Sequence, residues 1–290
     1  MSEEYIFSFS REAMLKRCLR EYYLHAFYAY GEYDVESADR KRNHVHLLKQ
    51  LKSESLFVES ILSDSIRKMF VDGMTINEFK HSVMNKFFFA KDDMLLGGYE
   101  YDHLQNPLLC SFYYEEKSIA EIFSTVFDRT SNWIEDLLNN DLFVTLFKQE
   151  RQNFYPVAEA PFVFVGKIKV YFPLSGIIKY DGFYYCFNFV RSAEYYETYA
   201  VLHLLYCQQR LHVSPELVRH IFLDSENIFT LYTALTELNI SQVLNDIAER
   251  SASQYHIAEM LSEIENPFAV CEADDTATCK SCRFREFCRG

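Results

Sequence analysis

The amino-acid pattern predicts an α/β (α+β) fold, a small mixed central sheet flanked by helices. Apolar residues recur at helical spacing over most of the 290 residues. Between Val157 and Val190 the period changes to that of strands, around an Asp-Gly hairpin signal. No internal repeat, low-complexity segment or linker breaks the chain. The expectation is therefore one domain over 1–290, with a helical part to about 150, a sheet core over about 151–225, and C-terminal helices with a cysteine tail over about 226–290.

Each element has a local reason. Residues 10–30 suit a helix, with Ser10 as cap and Glu12 in the first turn. Leu15, Cys18, Tyr22 and Ala26 recur at helical spacing, which turns Cys18 inward. Residues 34–53 are polar, a loop or the start of a solvent-facing helix. Helices are expected over 54–70 and 75–90, split by Asp72-Gly73, and turns at Gly97-Gly98 and Asn106-Pro107. Ser118-x-x-Glu121 is a capping box that opens a helix to about Leu138. Strands follow at 162–165, 167–172, 176–180 and 183–190, the last two joined by Asp181-Gly182. A helix over 193–210, a strand over 218–223 and helix over 226–265 complete the pattern, which Asn266-Pro267-Phe268 ends.

Composition narrows the function. The net charge of −13 argues against sequence-blind adhesion to nucleic acid over the whole surface. Two local basic patches remain, Arg40, Lys41, Arg42, Lys49 and Lys52, and Lys280, Arg283, Arg285 and Arg289. The ordinary use of each is a solvated face. The 21 Tyr and 26 Phe are scattered and suit core filling. No apolar run approaches a membrane span, and Met-Ser-Glu-Glu is not a secretory signal, so the expected location is cytoplasmic, with no membrane partner. In a reducing compartment the eight cysteines point to metal or free thiols rather than disulfides.

Cys279, Cys282 and Cys288 form C-x2-C-x5-C, a spacing that presents soft thiolates to one metal centre from a short loop. Three sulfurs leave a four-coordinate centre one short, and Cys18 is the candidate fourth. That would staple the first helix to the tail. Zinc accepts the same four thiolates, so spacing leaves the metal open.

The order of parts resembles the iron–sulfur branch of the PD-(D/E)XK nuclease superfamily, which includes CRISPR-associated RecB-like nucleases and the nuclease domain of AddB-type helicase–nucleases. The residues that carry the resemblance are Arg17-Cys18-x-Arg20-x-Tyr22-Tyr23, the short sheet with its following helix, and Pro267-Phe268 leading into the cysteines. It implies a restriction-endonuclease-like core with helical insertions, and a 4Fe-4S cluster on Cys18, Cys279, Cys282 and Cys288, with Cys271 a possible substitute. Cys110, Cys186 and Cys207 are expected in the core.

The resemblance also locates the family's hydrolytic groups, and there this chain departs from it. Ser175 stands where the first acid belongs, Asn188 where the second belongs, and Val190 in place of the lysine. Another register puts Lys169 at the first acid, which is no better. Ser63 falls in the stretch of the family's helical His, and Tyr195-x-x-x-Tyr199 keeps only the Tyr of its Gln-x-x-x-Tyr step. Mg or Mn is not expected at such a site, because a hard cation needs anionic oxygens. Glu159 and Asp181 are the nearest possible substitutes. The implied function is a pseudo-nuclease that binds DNA or a DNA-processing partner, a helicase or another nuclease. The competing readings are an active metal-dependent exonuclease with relocated acids, and an iron–sulfur redox sensor.

Overall fold

The computed structural model describes residues 5–28, 39–97, 108–190, 193–224, 229–233, 235–264, 270, 279–280 and 282–289. In chain order the elements are β1 (Tyr5–Ser8), α1 (Phe9–Arg17), α2 (Leu19–Tyr23), α3 (Arg40–Gln50), β2 (Leu51–Lys52), α4 (Glu54–Val71) and α5 (Ile76–Leu95). Then come β3 (Leu108–Leu109), α6 (Cys110–Tyr113), α7 (Ile119–Leu138), α8 (Asp141–Phe147), β4 (Phe154–Pro156), β5 (Phe162–Val165) and β6 (Ile168–Tyr171). The last are β7 (Gly176–Tyr180), β8 (Phe183–Phe189), α9 (Tyr196–Tyr206), β9 (Val218–Leu223), β10 (Thr230–Tyr232), α10 (Glu237–Ser262) and α11 (Arg285–Arg289). This is a mixed helix-and-sheet fold, as expected. No described helix is long and apolar enough to cross a membrane.

The central sheet has five strands in the order β10-β9-β8-β7-β4. Only β8 and β9 pair in parallel, and α9 makes the crossover that parallel pairing requires. Both faces of the sheet are covered, so its strands are apolar on both sides rather than alternating with polar residues. Ile178, Phe187 and Ile221 face the core built from α4, α5, α7 and α8. Ile177, Cys186 and Phe222, one residue over in each strand, face the core built around α9. The β7–β8 hairpin turns at Asp181 (φ 47°) and Gly182 (φ 80°), the two positive φ values of a type I′ turn. The remaining strands form a three-stranded sheet, β1-β6-β5, and a short β2-β3 pair.

Several expectations are corrected. The helix expected over 10–30 breaks at Cys18, whose backbone is extended (φ −160°, ψ 118°). Cys18 accepts the N–H of Glu21 on its sulfur at 3.5 Å and so caps α2, much as a serine would. Apolar periodicity runs across the break and cannot reveal it. Ser8, not Ser10, stands at the start of α1. The stretch before Ser53 holds the helix α3, capped by Asp39 through the N–H of Arg42. The helix expected from 226 begins only at Glu237, after the Thr236/Asn239 capping box, and β10 precedes it. Strands β1 and β4 were not foreseen. The turns at Gly98 and Asn106-Pro107, the stop at Asn266-Pro267-Phe268 and Cys271 lie outside the described residues.

Elements early in the chain meet later ones. Parallel pairing joins β1 to β6. Arg250 on α10 grips the buried carboxylate of Glu12 on α1 with a two-pronged contact, its Nε donating at 2.7 Å. Arg20 donates to the carbonyl of Val270 at 2.9 Å.

Candidate functional site

A cleft of about 580 Å³ opens between α1, α4, the loops before β5 and β7, and the end of β8. Ser63, Ser175, Val190, Tyr195 and Glu159 all line it. Five positions singled out along 132 residues of sequence thus come together in one place. Sheet register explains part of this. Gly176 pairs with Phe187, so one step further puts Ser175 opposite Asn188, and the Ser175 N–H donates to the Phe187 carbonyl at 2.8 Å. Asn188 and Val190 are two apart on β8 and share a face with Ser175. On α4 the buried stripe of Phe57, Ile61, Ile66 and Phe70 faces the core, which leaves Ser60, Ser63, Asp64 and Arg67 along the cleft.

Ser63, Ser175, Asn188 and Val190 bring no charge to this part of the fold. Asn188 is completely buried, and neither its Oδ1 nor its Nδ2 has a hydrogen-bond partner. Val190 is buried and offers no donor. The carboxylate of Asp64 accepts from Lys86 and, at 3.2 Å, from Arg67, with Lys68 at 3.9 Å. Burial alone would raise its pKa; the Lys86 hydrogen bond and charge, with Arg67 and Lys68, outweigh burial and hold it below the usual range. Glu159 is 87% exposed at the rim, 3.9 Å from Arg67. Asp181 occupies the turn at the far end of the hairpin from Ser175 and Asn188 and does not line the cleft. Sequence reading missed Asp64 and Arg67, although their i, i+3 spacing on a helix is a recognisable pair signal.

The cysteine tail folds back on α3 and α6. Phe284 is fully buried among Leu24, Val45, Leu48, Leu51 and Leu108. Arg283 donates to the Lys49 carbonyl at 2.9 Å, and Tyr114 donates to the Arg283 carbonyl at 2.7 Å. Tight turns follow one another, with the Cys282 N–H on the Cys279 carbonyl at 3.3 Å and the Cys288 N–H on the Phe284 carbonyl at 3.2 Å. The Cys282 sulfur accepts the Phe284 N–H at 3.4 Å. Burial first, then the charge of Glu21, and more weakly Cys288 and Cys18, push the Cys282 thiol up to about 12. Cys18, Cys282 and Cys288 therefore share one electrostatic neighbourhood, and residue 18 is on the tail's side of the molecule.

Cys186 and Cys207 are core residues, as expected, with sulfurs 3.5 Å apart. Cys110 is not: it is half-buried and packs beside the tail cluster that contains Cys282. Among the described residues no three His, Cys, Asp or Glu side chains gather closely enough to hold a metal ion, in the cleft or at the tail. Comparison with protein-family models, curated proteins and solved structures returns no match for this chain.

Proposed function

We propose that this chain is a PD-(D/E)XK nuclease-like protein whose cleft binds without hydrolysing, and whose ends are tied by a 4Fe-4S cluster. Its partner is DNA or a DNA-processing protein, a helicase or another nuclease. The observation that carries this is the meeting of Ser63, Ser175, Val190 and Tyr195 in one cleft, with Asn188 set opposite Ser175. A metal-dependent nuclease needs carboxylates there to hold the cation and a cation to offset phosphate charge. Neutral side chains supply neither.

Cys18, Cys279, Cys282 and Cys288 are the proposed cluster ligands, with zinc the alternative occupant. The donor set suits soft metals, and backbone N–H groups already point at two of the sulfurs, as they do around thiolate-held clusters. The four sulfurs would have to draw together to bind. A bound cation would also reverse the burial penalty on the Cys282 thiolate.

The decisive experiment incubates the anaerobically purified protein with labelled single- and double-stranded DNA and Mg or Mn, alongside iron and zinc analysis. The expected result is a brown, iron-containing protein that leaves DNA intact. The acids Asp64 and Glu159 both line the cleft, which gives the active-exonuclease reading its specific form. Cleavage that disappears in Glu159→Ala or Asp64→Asn would establish that reading instead. A preparation with neither iron nor zinc would remove the staple.

A further inference from the structure

Helix α5 turns one face inward, where Phe79, Val83, Phe87, Ala90 and Met94 are buried in the helical core. The opposite face of such a helix is ordinarily polar. Here its last two turns carry Phe88, Phe89 and Leu95, which are 53%, 69% and 59% exposed, and Leu96 at the C-cap is 80% exposed. Phe88 packs against Phe127 of α7 with ring centroids 5.7 Å apart, so the apolar surface continues onto the neighbouring helix. Large apolar groups gathered in water mark a binding surface. Acids stand among them. Asp92 falls one turn after Phe88 and Phe89 and one turn before Leu96, Asp93 is beside it, and Asp128 directly follows Phe127. None of the ion pairs among the described residues involves Asp92, Asp93 or Asp128. Of the nearby bases, Lys86 is paired with Asp64 on α4, Arg129 lines a recess beside α4, and Lys91 stands at the edge of the face, one turn before Leu95.

We propose that this face of α5 docks a basic amphipathic helix of a partner protein. The partner's apolar stripe covers Phe88, Phe89 and Leu96, and its lysines or arginines meet Asp92, Asp93 and Asp128. Apolar burial supplies the affinity, and the acids fix the register and speed the encounter. Charge selects this occupant over the others. A second copy would set the same acids against each other, in a chain of net charge −13. An anionic membrane surface is repelled in the same way. Residues 98–107, the next along the chain, hold Glu100 and Asp102 and no lysine or arginine, so they bring no complementary charge. Neither the cleft nor the cysteines take part, so this docking stands apart from the proposed function.

The test titrates the full chain into a fluorescein-labelled helical peptide with leucines on one face and lysines on the other, read by anisotropy. Saturable binding is expected, and the same peptide with glutamates for lysines should bind far more weakly. Phe89→Ala/Leu96→Ala should weaken binding about tenfold. Asp92→Asn/Asp128→Asn should weaken it and flatten its dependence on salt. A control outside the face, Glu216→Gln, should change nothing. The four substituted positions on the face are exposed, so these variants should keep the denaturant midpoint of the wild type. A clear fall in that midpoint for Phe89→Ala/Leu96→Ala would show that the chain covers the face itself, which overturns the proposal. Lysine and glutamate peptides bound equally, or binding unchanged in Phe89→Ala/Leu96→Ala, also overturn it. So does dimerisation of the chain alone that this variant abolishes, or binding to phosphatidylserine vesicles as tight as to the peptide. DNA cleavage or missing iron in the earlier assay would refute the proposed function without touching this face.

Discussion

A hydrogen atom is all that Gly176 presents to the ring of Phe70. A Cβ built there would come within 2.2 Å of that ring. Phe70 cannot yield, because it is fully buried against Phe147, Phe154 and Phe187. Gly176→Ala should therefore destabilise the protein by about 1–3 kcal/mol, read as a fall in the denaturant midpoint. An unchanged midpoint would mean that α4 lies further from β7 than described. Asn188 presents the opposite case, a buried amide with two unpartnered atoms. Leaving such groups unsatisfied costs about 1–3 kcal/mol, whereas an apolar side chain of similar size is nearly neutral or better. Asn188→Leu should hold or raise stability, and a loss of about 1 kcal/mol or more would show that the amide is bonded in solution.

Between α9 and β9 two histidines stack with ring centroids 5.6 Å apart and facing Nδ1 atoms at 3.4 Å. Burial, then the Arg219 charge, lowers the His220 pKa from 6.5 to about 3. Burial, then His220, drives the His203 pKa well below its ordinary value. The unfolded chain takes up these protons near pH 6.5 while the folded chain refuses them. Stability should be unaffected above that pH and should fall progressively as pH drops from about 6.5 towards 3. Denaturation midpoints at pH 7 and 5 would show the slope, and His220→Phe should flatten it. A slope that survives the substitution would place its origin elsewhere.

Legibility at this scale followed the locality of the cause. The β7–β8 hairpin could be read because Asp181-Gly182 carries its own conformational instruction. So could α7, whose Ser118/Glu121 box forms as expected. Strands β1, β4 and β10 could not, since each has only three or four residues and owes its form to a partner elsewhere in the chain. In the cleft, Ser175 and Val190 were legible through their spacing along the hairpin. Asp64 and Arg67 were not, because a polar helix face lining a cleft looks in sequence like one facing water. Cys110 looked like a core residue because the tail cluster it packs beside is drawn from residues far along the chain.

Across the whole molecule, the tail is held by packing as well as by any metal. Phe284 fills a pocket between α3, β2 and β3, and its removal should cost about 3–5 kcal/mol. Phe284→Ala should lower stability by a similar amount in metal-free and metal-loaded protein, as measured by denaturation with and without chelator. Loss of the effect in the loaded protein would mean that the metal alone fixes the tail.

The Glu12–Arg250 and Arg20–Val270 contacts span 238 and 250 residues. The segment that carries Glu12 and Arg20 therefore completes its contacts only once residues 250 and 270 have been made. β1 can pair with β6 before that, but closing the α1–α10 contact joins residues far apart in sequence, which makes this a slow topology to close.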